Sequence, residues 1–280
     1  MNVRLLILTA GFGEGHNAAA RALAAACEAR HGAGSAPVHD ALALASPRIN
    51  GLARRGYLGV INRWPAGWSL LYRWLDHSRL VPAVLSRLPA ERAVLRGLIA
   101  RELPVAVCCT FPGYAFPLAA LGRAGEIRVP VFNVVTDSIS INSLWWTAGA
   151  AGWFVPNEES AGVMRRAGVD PDRLRVTGFP VAPEFRRLSR EPGPPDLAGG
   201  ARPRVLYIVN SGRSHAAETA ERLLRQTDWE VTCTVGRNDA LRRELEAITA
   251  TRPSPRCCST SVTMSTFSPV GSVATMRSAL

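Results

Sequence analysis

The sequence contains no lysine. All 33 basic side chains among its 280 residues are arginine, and against 22 acids they leave a formal net charge of +11. An all-arginine, alanine-rich chain is also what GC-rich coding produces, so charge alone is a weak guide to a partner. A surface this positive nevertheless attracts phosphates, anionic lipid headgroups or nucleic acid. Cysteine is scarce: the six present (Cys27, Cys108, Cys109, Cys233, Cys257, Cys258) form no Cys-x-x-Cys pair and no metal-ligand spacing. Cys108 and Cys109 sit in an apolar run and read as buried thiols in a reducing compartment. Long hydrophobic runs are missing too. Leu103 to Leu121 is broken by Pro104, Pro112 and Pro117 and makes a poor membrane span. Met1 to Ala10 runs straight into Gly11-Phe12-Gly13-Glu14-Gly15 with no small-residue cleavage site first, unlike a signal peptide. With 47% apolar and 20% charged residues, a soluble or peripheral globular protein is expected. A disordered tail, a collagen-like rod and a small disulfide scaffold are excluded.

What is present alternates. Val3 to Thr9 is a short apolar run ending in a glycine turn, which reads as a buried strand. Ala19, Ala22, Leu23, Ala26 and Cys27 then recur at helical spacing, predicting a helix over Gly15 to Arg30. Further strands are expected at Val105 to Cys109, Val129 to Thr136, Trp153 to Val155 and Leu174 to Val176. A helix over Asn157 to Ala167 carries Glu158 and Glu159 in its first turn, where the helix dipole favours them. This alternation implies an α/β fold with mostly parallel sheets. Residues 1–185 read as a first domain and 186–203, dense in proline and glycine, as a linker. Strand–turn–helix patterning resumes over 204–250. Residues 251–280 hold seven Ser, five Thr, three Arg and no acid, with no sustained helical or strand period. A solvated tail is one account; a reading frame lost near residue 250 is the other, and the break in mid-domain favours it.

Four segments could carry chemistry. In Gly11-Phe12-Gly13-Glu14-Gly15-His16-Asn17, glycines between a strand and a helix let backbone N–H groups approach a ligand. The segment lacks the Lys-Ser/Thr of a P-loop, and His16 stands where a dinucleotide fingerprint has its last glycine. A neutral imidazole there can take a proton from a hydroxyl, or His16 merely caps its helix. Thr136-Asp137-Ser138 ends a buried strand, where open α/β sheets place ligands. Asp137 can accept from a sugar or lipid hydroxyl, orient the histidine, or simply cap the next segment. Trp145 and Trp146 read as core, although adjacent indoles cannot both face one way along a strand. Between Arg48 and Arg101, ten arginines accompany two acids and an interleaved set of Tyr57, Trp64, Trp68, Tyr72 and Trp74. That composition suits an anionic bilayer surface, single-stranded nucleic acid, or a solvated face over buried aromatics. Finally, Ser211-Gly212-Arg213 and Gly236-Arg237-Asn238 each follow a strand and open a helix, a geometry for a diphosphate or for a plain connection.

Together these residues resemble the monogalactosyldiacylglycerol synthases and the related processive diacylglycerol glucosyltransferases. The resemblance rests on Gly11 to Asn17, the aromatic segment Tyr57 to Trp74, Val135-Thr136-Asp137-Ser138 with Asn142-Ser143-Leu144-Trp145-Trp146, Phe154-Val155-Pro156-Asn157-Glu158 and Gly178-Phe179-Pro180-Val181. It runs from residue 3 to about 249. It implies a GT-B fold of two Rossmann-like domains facing a cleft, the second incomplete here. The first domain would hold a diacylglycerol acceptor and touch an anionic membrane surface; the second would hold UDP-galactose or UDP-glucose as co-substrate, with no metal or other cofactor and no nucleic acid partner. His16 and Asp137 become the catalytic candidates. Gly13, Gly15, Asn17, Arg63, Trp64, Trp68 and Asn142 become acceptor or membrane contacts, and Ser211, Gly212, Arg213, Gly236 and Arg237 donor contacts. The implied location is cytoplasmic, peripheral on the inner face of the cell membrane.

Two departures qualify this. Many members carry a histidine a few residues after the Thr-Asp pair, where this chain has Asn142. The family's later glycine-rich stretch, with a Thr and a ribose-holding Glu, has no match after residue 250. UDP-sugar binding far weaker than a complete domain gives is therefore expected, and the alternative is a non-catalytic lipid-binding module at the membrane surface.

Overall fold

A computed structural model describes residues 4–12, 14–63, 78, 80–138, 141–188, 193, 195–209, 213–226, 228–235, 239–250 and 261–263. The chain divides into two compact units, Met1–Glu191 and Pro192–Leu280.

The first unit is built on six parallel strands: β1 (Leu5–Leu8), β2 (Val38–His39), β3 (Ala106–Cys109), β4 (Val131–Val134), β5 (Gly152–Val155) and β6 (Leu174–Val176). Their order is β2-β1-β3-β4-β5-β6. Side chains of β1 alternate across the sheet, as a strand's pleat requires. Leu6 and Leu8 join one buried cluster with Val107, Cys109, Leu95 and Leu118. Ile7 joins another with Ala20, Cys108 and Val134. Strands β1 and β3 are therefore apolar on both faces, which explains why the sequence shows continuous apolar runs there. Strands β1, β3 and β4 are a little shorter than expected, β6 matches and β5 starts one residue earlier. In place of a strand over Val129 to Thr136, pairing ends where Val135 donates to the Phe154 carbonyl, and Thr136 and Asp137 lie beyond it.

Helices α1 (Glu14–His31), α2 (Ala41–Ala45), α3 (Pro47–Arg63), α4 (Leu80–Arg87), α5 (Pro89–Glu102) and α6 (Ala115–Arg123) precede β4. The one-turn α7 (Leu144–Thr147) and α8 (Glu158–Arg166) follow it. Asn157 caps α8 through its side chain, accepting from Ser160 N at 2.8 Å. Gly168 ends the helix at φ 89°, and Val169 N donates back to the Met164 carbonyl, a left-handed closure that glycine accommodates without strain. The adjacent indoles are resolved by helical rather than strand geometry: Trp145 is buried and Trp146 half-buried. The sequence-based linker starts at 186, whereas α9 (Pro183–Leu188) runs past that point, since Pro183 suits a first helical turn.

In the second unit β7 (Arg204–Ile208), β8 (Glu230–Thr234) and β9 (Ser261–Thr263) pair in parallel in that order. The crossover helices are α10 (Arg213–Leu224) and α11 (Asp239–Ala250). Ala220, Leu224, Val231, Cys233, Leu241 and Leu245 form its core. Within residues 251–280 the described segment is β9 over 261–263, where Ser261, Val262 and Thr263 register with Thr232, Cys233 and Thr234. Three residues are too few to show a period of two, so only the neighbouring strand reveals them.

Candidate active site

From β1 the sheet runs to β2 on one side and to β3 on the other, so the chain reverses direction between β1 and β3. Open α/β sheets form a crevice at such a point, outside the carboxyl ends of the strands. There the structure gathers Thr9 after β1, Thr110 and Phe111 after β3, and Thr136 and Asp137 after β4.

The glycine turn is tied down by two residues absent from the sequence-based candidates. Asp40 caps α2, accepting from Ala43 N at 2.9 Å, and its other oxygen accepts from Gly11 N at 2.9 Å. The Tyr114 hydroxyl donates to the Thr9 carbonyl at 2.9 Å and accepts from Leu42 N at 3.0 Å, 3.2 Å from Asp40 Oδ1. Burial, first of all, raises the Tyr114 pKa, with the Asp40 charge adding to it, so the phenol stays a donor. Asp40 ahead of an Ala-Leu run is a legible cap signal. Tyr114 has no local signal, because its partner Thr9 lies 105 residues away.

At the start of α1, Gly15 is exposed, and a Cβ added there would meet nothing within 4 Å. Asn17 Oδ1 accepts from the Thr9 hydroxyl at 3.0 Å. His16 turns inward. Its Nδ1 lies 2.7 Å from Thr136 Oγ1, across 120 residues of sequence. The ring stands edge-on to Phe111 at 5.4 Å between centroids and tilted against Trp145 at 6.4 Å. Burial lowers the His16 pKa, while a hydrogen bond to the Thr110 backbone and the charge of Asp137 work the other way. The imidazole is thus neutral at physiological pH, carrying a lone pair that can take a proton.

Asp137 Oδ2 accepts from Trp145 Nε1 at 2.8 Å. Asn142 is buried, and its Oδ1 accepts from Leu144 N at 3.0 Å, closing the first turn of α7. That bond gives Asn142 a structural task in the place expected to contact an acceptor. Of the other expected site residues, Gly13, Trp64, Trp68, Ser211, Gly212, Gly236 and Arg237 lie outside the described residues. Arg63 ends α3 and Arg213 opens α10. Among the described residues no three His, Cys, Asp or Glu side chains are grouped to hold a metal ion, and no helix is long and apolar enough to cross a membrane.

The family model for monogalactosyldiacylglycerol (MGDG) synthase matches residues 16–181, more than half of the chain. The chain belongs to this family. It is 25% identical over 256 residues to the processive diacylglycerol beta-glucosyltransferase of Bacillus subtilis (strain 168), covering 89% of this chain and 65% of that protein. The Bacillus pumilus (strain SAFR-032) protein of the same name is 24% identical over 258 residues, with 90% and 66% covered. The chain therefore spans about 65% of the length of these relatives. UDP-GlcNAc 2-epimerase from Neisseria meningitidis, solved bound to UDP-GlcNAc, is similar at a TM-score of 0.48 and 10% identity, over 94% of this chain and 72% of that one.

Proposed function

We propose that the chain carries the acceptor side of a glycosyltransferase that moves a hexose from UDP-galactose or UDP-glucose to the free hydroxyl of diacylglycerol, in glycolipid synthesis. His16 takes the hydroxyl proton as the acceptor oxygen bonds to the anomeric carbon and the bond to UDP breaks, and Asp137 supports the imidazolium. The observation that carries this reading is a neutral, inward-turned imidazole beside a carboxylate at the switch point of a parallel sheet. The family and its named relatives supply the acceptor and the class of reaction. The segments preceding α10 and α11, with Ser211, Gly212, Arg213, Gly236 and Arg237, are proposed to meet the diphosphate, which helix N-termini favour. No cofactor beyond the co-substrate is proposed. The arginine-rich stretch ending at Arg101, with Arg63, Trp64 and Trp68, is proposed to rest on an anionic membrane surface, at the cytoplasmic face.

The test is sugar transfer by the full chain to diacylglycerol in vesicles, followed by UDP release. His16→Ala is expected to lower the rate about 10²–10⁴-fold, the usual worth of a general base. An unchanged rate would overturn the assignment. A second reading, a lipid-binding module without turnover, draws on the first unit alone, which is compact by itself. It predicts vesicle binding with no UDP release from any UDP-hexose.

A further inference from the structure

We propose that the indole N–H of Trp145 fixes the Asp137 carboxylate beside His16, making Trp145 a positioning residue for the imidazolium formed when His16 takes a proton. The functional part of this rests on the reading of His16 as the base; the geometry stands without it. An indole nitrogen offers one N–H and accepts nothing, so the 2.8 Å contact from Trp145 Nε1 to Asp137 Oδ2 has a single direction. The same ring packs against the His16 imidazole at 6.4 Å. One side chain therefore touches the proposed base and holds the carboxylate whose charge acts on it.

Trp145 is itself held from several sides. Its carbonyl accepts from Asn133 Nδ2 at 3.0 Å and from Trp153 Nε1 at 2.7 Å. Its backbone N–H donates to the Asn142 carbonyl, and Asn142 Oδ1 closes the turn on Leu144. The ring is fully buried in the cluster with Val135, Ile141, Trp153 and Val155. Strands β4 and β5 thus set the place of Asp137 through α7. Trp153 behaves differently in the same cluster. It spends its N–H on a backbone carbonyl, the ordinary fate of a buried indole, whereas Trp145 spends its own on an ionisable side chain at the site. Among the described residues Asp137 is the charged group acting on His16; the Thr110 backbone, the Thr136 hydroxyl and the Phe111 ring complete its surroundings without charge.

The experiment is an NMR titration of the His16 imidazole in the isotopically labelled full chain, in the wild type, Trp145→Phe, Asp137→Asn and the double variant. Trp145→Phe keeps an aromatic ring and deletes the N–H. Loss of the carboxylate, or of its placement, removes support for the imidazolium, so each single variant should move the His16 midpoint to lower pH. The double variant should move it no further than Asp137→Asn alone. The proposal is overturned if Trp145→Phe leaves the midpoint in place while Asp137→Asn shifts it, or if the two shifts add. Should Trp145→Phe fail to fold, the indole proton of Trp145 is followed in Asp137→Asn: a moved resonance supports the bond, and an unmoved one overturns it. The titration needs no turnover, so the His16→Ala transfer assay judges the base reading separately.

Discussion

The two sheets differ in how many of their faces are buried. In the first unit, neighbours along one strand point to opposite sides and both find a core: Leu6 and Leu8 in one cluster, Ile7 in another. In the second, Val205 and Tyr207 of β7 pack into the core with Val231 and Cys233, while Leu206 and Ile208 are each 60% exposed. The cause is topological. Parallel strands need crossovers, and right-handed crossovers that always advance in one direction lay their helices on one face. Only a reversal of direction covers the other face, and the first unit has one, between β1 and β3. Among the described residues the second unit advances from β7 to β8 to β9 without reversing. The reversal that buries the second face is also what opens the crevice holding His16, so coverage and site have one origin.

The largest effect should come from the doubly covered strand. Leu6→Ala and Ile7→Ala delete fully buried side chains on opposite faces of β1, and each should cost about 2–5 kcal/mol. Denaturant unfolding of the first unit measures this, and Trp229, the one tryptophan in residues 192–280, reports on the second unit separately. A loss from Leu6→Ala with none from Ile7→Ala would show that only one face is truly packed.

A smaller, pH-dependent effect tests the crevice. Burial holds the His16 pKa below its ordinary value of 6.5. As pH falls through 6.5, the unfolded chain takes up a proton that the folded His16 resists. The unfolded state then binds more protons, so stability is fully present above pH 6.5 and is lost toward the lower folded-state pKa. His16→Gln should flatten that slope for the first unit and leave the second unit's pH dependence unchanged. Urea midpoints at pH 7.5 and 5.5 check it; an equal slope in both proteins would place His16 in water.

The first sheet is legible in the sequence where burial writes an apolar run into a strand, as in β1 and β3, whereas the two-residue β2 (Val38–His39) shows no such run and is not among the expected strands. The place of Asp137 is legible for a related reason, since polar residues directly after such runs have few places to go but the carboxyl edge, and His16 is legible because a glycine turn after β1 leads into α1. What joins them is not. The Thr136 hydroxyl meets His16 across 120 residues, and Tyr114 reaches Asp40 across 74; neither contact has a local spacing to betray it. Asn142 is an expected acceptor contact by its place in a family motif, and no pattern announces that its oxygen caps a single helical turn. Strand β9 stays hidden because its residues pair through backbone atoms that any sequence supplies.

The smallest expected effect is the sharpest test of the contrast. Leu206→Ser replaces a leucine on the exposed face of β7, so it should change stability by no more than about 0.5 kcal/mol. A strand that presents apolar side chains to water also invites self-association, so the same change should lower the fraction of aggregated protein in a sedimentation run. If Leu206→Ser instead costs as much as Leu6→Ala, something covers that face in solution, and the two sheets are alike after all. A small cost keeps them different: one sheet is covered on both faces of β1 across its own chain reversal, and the other keeps Leu206 and Ile208 of β7 toward water.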